Sequence, residues 1–292
     1  MDSRRAISLD CNFIYCFNLA LEGRDKEIHD SRRMKLTLFF TGLKLNLAMH
    51  MTYRINFLLT MMMMAFFNLA FPLVTFLIYS NSNGFPGWDF NQILLFQGFA
   101  ILVWGLQQFL LGNVSWELNR IVREGQLDRL LVLPMGPFEF LMTTEASLEV
   151  IPEILLGFIM VLVAMIKLGL FFSIQAWVLM ILFLVLALVF LGSLNAIQMA
   201  LVIRFVQIRR LGELLRVISL FGQYPANIYS KAVQALLIGA IPFALIAFYP
   251  ASAVLGRIKE IPYAAIISTI CFAIIAVLIW KNALKKYTSA GG

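Results

Sequence analysis

Residues Arg123 to Pro134, REGQLDRLLVLP, put both signs of charge and a row of leucines on one short segment between two long apolar runs. Around it Glu117, Arg120, Arg123, Glu124, Asp128 and Arg129 alternate in sign. Leu127, Leu130 and Leu131 recur at i, i+3, i+4, the spacing that gathers side chains on one face of a helix. Gly125 permits a bend or a close approach, and Pro134, lacking an N–H, stops the helix. A short amphipathic helix of this kind suits docking into a groove of a soluble partner. On pattern alone, an ordinary interfacial loop remains open as the other reading.

Glu145, Glu149 and Glu153 follow at i, i+4 and i+8, so on one continuous helix they share a face. Such a face near the entrance of a membrane path attracts cationic amphipathic molecules; a solvated stripe, or one turned to a partner, has the same spacing. Polar residues inside apolar runs are the other candidates. Gln107, Gln108 and Asn113 in one run, and Asn195 and Gln198 in another, are candidates to line a pathway, with helix-to-helix hydrogen bonding as the competing use.

Catalytic chemistry is poorly supplied. The sequence has no GxxxxGK[ST] phosphate loop, no HExxH and no GxSxG. Both histidines, His29 and His50, precede the first long apolar run, and Cys11, Cys16 and Cys271 have neither metal-ligand nor disulfide spacing. The chain is therefore read as no enzyme, with no catalytic residue and no metal site. Four consecutive methionines, Met61 to Met64, point all around a helix and do not converge on a metal.

The elements that position these residues follow from hydropathy. The 292 residues are 61% hydrophobic and 13% charged, against about a quarter charged in soluble domains, and the mean hydropathy is +0.86. Several apolar runs reach the roughly 20 residues a helix needs to cross a bilayer, and the short alternating segments of a barrel are absent. Six spans are expected: Ile55 to Tyr79, Gln92 to Val114, Ile154 to Phe172, Trp177 to Val202, Ala232 to Tyr249 and Tyr263 to Trp280. The third is drawn to Phe172, with Lys167 snorkelling, in preference to a helix that takes in Glu149 and Glu153. Val217 to Ser230 is apolar but short and reads as an interfacial or re-entrant helix. Met34 to Arg54 reads as an amphipathic helix in the headgroup region leading into the first span. Residues 1–33 read as a cytoplasmic extension outside the six-span domain of residues 34–292, with translation from Met34 as the sharper expectation.

Basic residues set the orientation. Those up to Arg54, those between the second and third spans, Arg204, Arg209, Arg210 and Arg216, and the tail lysines all fall on one face under this count. Only Lys167, Arg257 and Lys259 fall on the other. The first face is therefore cytoplasmic, with both termini on it. The net charge of +7 is absorbed in this way and implies no nucleic acid.

The segment Glu124-Gly125-Gln126-Leu127-Asp128-Arg129-Leu130-Leu131-Val132-Leu133-Pro134 resembles the G-x-L-D-x-L-L-x-x-P segment of type-2 ATP-binding-cassette (ABC) exporter permeases, closest to the bacterial six-span subfamily encoded apart from its ATPase. Tyr53-Arg54, Tyr224-Pro225, Pro242 and Tyr249-Pro250 resemble further landmarks of that subfamily, and the likeness covers Met34 to the C-terminus. The resemblance implies an all-α inner-membrane permease that exports a small hydrophobic or amphipathic molecule. Arg123, Glu124, Gly125, Leu127, Asp128, Leu130, Leu131 and Pro134 would form the coupling helix seated on the ATPase. It also implies pairing with itself or a related permease, and ATP and Mg bound by the partner ATPase, not by this chain. A motor-independent secondary transporter or channel, and a membrane scaffold, are the alternatives.

Overall fold

The computed structural model describes residues 31–82, 84–133, 136–170, 174–205, 217–258 and 262–287, and among these every regular element is helical. The expectations for residues 1–30, Pro134, Arg209, Arg210 and Arg216 lie outside the described residues. In chain order the helices are α1 (Ser31–Thr52), α2 (Arg54–Asn81), α3 (Phe90–Leu111), α4 (Val114–Arg123), α5 (Leu127–Leu131), α6 (Pro137–Thr144), α7 (Ile151–Lys167), α8 (Ile174–Phe205), α9 (Lys231–Ala235), α10 (Phe248–Val254) and α11 (Tyr263–Lys285). Five helical stretches are long and apolar enough to cross a membrane: Arg54–Asn81, Phe90–Arg123, Leu148–Lys167, Ile174–Phe205 and Tyr263–Lys285.

The bundle is organised by a tight antiparallel crossing of α3 and α7. Gly98 lies against Val161, Gly105 against Ile154, and Gly157 against Leu102, where a Cβ would come within 2.6 Å of the Leu102 backbone nitrogen. Small residues let two helices approach this closely in a bilayer, where burial from water cannot drive them together. α8 and α11 run parallel to each other, with Phe190 meeting Phe272 edge-on at 5.3 Å. By contrast, α2 is barely covered: Met62, Phe66 and Leu73 are among its many exposed apolar side chains. An apolar exterior of this kind belongs in hydrocarbon.

Several expectations need correcting. The third long stretch does not run to Phe172. It starts with a 3₁₀ turn at Leu148–Val150, continues as α7 and ends at Lys167, so Glu149 and Glu153 lie inside it. Nor do Glu145, Glu149 and Glu153 share a helix face. α6 ends at Thr144, and the chain breaks at Ser147, whose N–H donates to the Phe109 carbonyl at 3.0 Å. The helix before the first span is present, but apolar and polar residues are spread around it instead of segregating to one side. Asn46 of α1 donates to the Thr144 and Ala146 carbonyls at 2.6 and 3.0 Å, pinning α1 to the break.

The largest difference concerns Ala232 to Tyr249, expected as one span. α9 passes into a π-helical turn at Leu236–Ala240, the chain turns at Pro242 and forms a 3₁₀ turn at Phe243–Leu245, and α10 follows. Both flanks of this segment sit at the same end of the bundle. Asn227 accepts from Trp88 Nε1 at 2.9 Å and donates to the Pro86 carbonyl, while Arg257 donates to Gln92 at 2.7 Å and lies over the Trp88 ring. Residues 228–256 therefore leave this far end, dip into the bundle and return to it. The dip reaches Phe190, which Phe243 meets edge-on at 5.2 Å. The 217–230 stretch is not a single helix either; it passes from the interior to the far end through 3₁₀ turns at Leu220–Gln223 and Ala226–Ile228.

Candidate functional site

At the opposite end, α4 stops where the sequence places Gly125. The Gln126 N–H reaches back to the Ile121 carbonyl at 2.9 Å and the Gly125 N–H to the Val122 carbonyl at 3.3 Å, with Gly125 at φ 66. This paired closure of a helix C-terminus needs a left-handed residue, which glycine adopts without a Cβ penalty. The chain then turns straight into α5. Leu127 is fully buried and Leu130 nearly so, packed in one cluster with Leu118, Phe140, Met199 and Ala283. That cluster joins α5 to α4, α6, α8 and α11.

The leucine row of the 123–134 segment therefore faces inward, and the outer surface is made by other residues. Arg123, Glu124, Asp128, Arg129, Leu131 and Val132 are exposed, Val132 at 85%. Arg120 pairs with Glu117 and with Glu124, the latter at 2.9 Å, while Asp128 and Arg129 make no ion pair among the described residues. The surface presents Val132 and Leu131 ringed by charge, and Leu127 and Leu130 beneath it pack against three of the long helices. Val132 was missed from the sequence because it lies off the i, i+3, i+4 row; its exposure comes from the chain leaving α5 at that point.

A second feature lies between the two ends. A partly open cavity of about 370 Å³ is lined by α2, α3, the start of α7 and residues from 219 to 224. Glu153 is the acidic residue among its described lining residues, which also include the phenol of Tyr224. Asn68 shares the lining with Glu153, and its side-chain amide donates to the Met64 carbonyl at 3.0 Å. Pro72, one turn on, has no N–H to offer the Asn68 carbonyl, so the helix is locally open there. From α3, Gln97, Trp104 and Gln108 face the cavity, covering about 16 Å of its axis at 1.5 Å per residue. Gln97 donates to Thr75, while Gln97 Oε1 and Trp104 Nε1 are buried without a hydrogen-bond partner among the described residues.

The expected pathway and cation-attracting residues are dispersed by this geometry. Gln108 lines the cavity, while Gln107 is buried elsewhere on α3. Asn195 accepts from Ser115 of α4 at 3.3 Å, a helix-to-helix contact, and donates to the Leu191 carbonyl one turn back on α8. Asn113 marks the bend between α3 and α4, and Gln198 is half-buried on α8. Glu149 lies 3.7 Å from His50 of α1, and Glu145 caps α6. Glu153 alone of the three carboxylates enters the cavity. Among the described residues no group of His, Cys, Asp or Glu has metal-binding geometry.

A sequence family described as "ABC-2 family transporter protein" matches residues 59–291. The chain belongs to the ABC-2 transporter family. Comparisons with curated proteins and with solved structures find no match. The family match takes in the exposed α4–α5 surface, the glycine seam and the cavity, and leaves α1 outside. As an ABC-2 chain with five long apolar helices it is a multi-pass membrane protein and a transport subunit.

Proposed function

We propose that this ABC-2 chain is the permease subunit of an exporter driven by a separate ABC ATPase, and that residues 123–132 are its coupling surface. In this reading the protein sits in the bacterial inner membrane with both termini cytoplasmic and pairs with a second copy or a related permease. It moves a small hydrophobic or amphipathic molecule outward. ATP and Mg belong to the ATPase. The observation that carries the reading is the α4–α5 turn: charged and apolar residues exposed on one side, and Leu127 and Leu130 locked into the ends of α8 and α11 on the other. Such a part transmits rigid-body motion instead of absorbing it.

Six crossings fit this orientation. Phe205 ends α8 near the coupling surface, since Met199 and Ile203 belong to the same cluster as Leu127, whereas Tyr224 faces Phe85 at the far end. The chain changes ends between them. That change of ends supplies the sixth crossing in this reading, and the 228–256 segment is a re-entrant element.

Copurification from the native host in mild detergent tests the reading. A stoichiometric phosphate-loop ATPase is expected to accompany the chain, and Val132→Arg, on an exposed side chain, should abolish ATPase-driven export while leaving membrane insertion intact. Normal export by that variant would remove the surface from the coupling role. Absence of any ATPase, from a preparation that keeps other membrane complexes whole, would favour a motor-independent transporter or a scaffold.

A further inference from the structure

We infer that Asn46 is a positioning residue for coupling: its amide clasps the break between α6 and α7, which makes α1 a working part of the permease although α1 lies outside the family match. The inference deepens the permease reading by adding an element to its coupling path. It rests on that reading for what the clasp is used for, but not for whether the clasp holds the break.

The backbone at the break needs donors. α6 ends at Thr144, and the last carbonyls of a helix have no N–H of their own helix to accept from. The Thr143 and Thr144 hydroxyls both turn back to the Phe140 carbonyl, at 2.7 and 3.2 Å. Asn46 fills the need from 98 positions away. Its side-chain nitrogen donates to two carbonyls, Thr144 at 2.6 Å and Ala146 at 3.0 Å, one on each side of the end of α6. The side chain is 4% exposed, so water is a poor substitute for it there. A leucine has nearly the same shape and no donor.

The clasp is the middle of a longer contact. One turn before Asn46, Gly42 lies so close to Thr143 that a Cβ would come within 3.0 Å of its carbonyl oxygen. One turn after it, His50 lies 3.7 Å from Glu149. Positions 42, 46 and 50 share one face of α1 and meet residues 143, 144–146 and 149 in the same order. α1 is thus laid along the break as a splint, reaching from the α6 side to the α7 side. On the α6 side, Phe140 and Leu141 belong to the cluster that holds Leu127 and Leu130. On the α7 side, Ile154 and Gly157 form the close seam with α3. A break held in this way hands a rigid-body displacement of α5 and α6 on to α7, whereas a loose one absorbs it.

Hydrogen exchange read by mass spectrometry, on the purified full-length chain in lipid nanodiscs, tests the clasp. Asn46→Leu should raise exchange in peptides covering residues 143–150 by about tenfold or more, and change peptides covering 118–131 by less than about twofold. If Asn46→Leu fails to fold, Gly42→Val replaces it: the added side chain lifts α1 from Thr143 and should loosen the same peptides. Transmission is read on the complex with its copurified ATPase, trapped by ATP, Mg and vanadate. Trapping should change the protection of residues 151–167 in the parent. In the variant that change should be lost, while residues 118–131 still respond. Unchanged exchange at 143–150 overturns the inference. So does an equal rise over 118–131, which a merely structural role would give, or a trapped response of 151–167 equal to the parent's. Selective loosening of 143–150 in a chain that recruits no ATPase would sink the permease reading and leave the clasp standing. Normal ATPase recruitment with an unaltered break would do the reverse.

Discussion

The two ends of the bundle are built on different plans. At the coupling end the backbone is regular: α4 closes on Gly125, α5 follows at once, and aliphatic side chains from α3, α4, α8 and α11 knit the pieces together. At the far end the backbone is irregular, passing through a π turn, a 3₁₀ turn and two prolines between residues 231 and 250, and aromatic rings fill the space between segments. Polar ties there join side chains to loops: Trp88 to Asn227, Asn227 to Pro86, Arg257 to Gln92 and Tyr79 to the Trp88 carbonyl. One plan suits a lever, the other a closure.

The sharpest way to break that comparison is Leu130→Arg. The leucine row of residues 127–131 first suggests a partner-facing contact, so that this change would spare the fold. Leu130 is instead 4% exposed within the cluster that ties α5 to α8 and α11. An unpaired buried charge there should cost about 3–5 kcal/mol, read as a lower melting temperature in detergent and new proteolytic cleavage near residues 123–131. A stable, protease-resistant variant that merely loses ATPase stimulation would mean that the leucine row faces a partner after all. Trp88→Ala is the matching change at the far end. It removes the Asn227 hydrogen bond, the Arg257 stacking and the edge-on contact with Phe96. A loss of about 3 kcal/mol is expected, with cleavage appearing in residues 224–258 and the coupling surface unchanged. Parallel loss of both ends would show that they are one cooperative unit.

Legibility from sequence follows the same division. At the coupling end the stop of α4 at Gly125 was visible in the spacing, whereas the leucine row was visible as a row but not as the face that turns inward. At the far end sequence pattern and structure conflict. Phe243, Ala244, Leu245, Ile246 and Ala247 are all nearly or fully buried, and a hydropathy window scores such chain as it scores a span. Irregular backbone is tolerated at membrane depth when protein surrounds it, so buried re-entrant chain and a lipid-facing helix carry the same apolar signal. Pro242 and Gly239 were the available warnings. The break at Ser147 was hidden for another reason: the i, i+4, i+8 spacing of the three glutamates mimics one helix, and only the Ser147 to Phe109 hydrogen bond across 38 positions shows that the chain has turned. The cavity needed tertiary structure, because Asn68, Trp104, Glu153 and Tyr224 come from four separated stretches. The glycines at 98 and 105, seven apart in an apolar helix, did carry a packing signal that went unused.

The smallest effect tests the lever most finely. Gly125 has φ 66, where an L side chain meets its own carbonyl, so Gly125→Ala should cost about 1–2 kcal/mol. That is too little to unfold a cluster holding Leu118, Leu127 and Phe140, and the melting temperature should fall only slightly. The strain has one local outlet: giving up the Gln126 to Ile121 closure and reopening the end of α4. α5 would then be joined to α4 by a softer turn while its leucines stay docked. If the α4–α5 unit must move as one body to transmit ATPase closure, Gly125→Ala should lower coupled export more than it lowers stability. If export and stability fall together in proportion, rigidity at this turn is not what coupling uses, and the contact made by Val132 and its neighbours carries the transmission by itself.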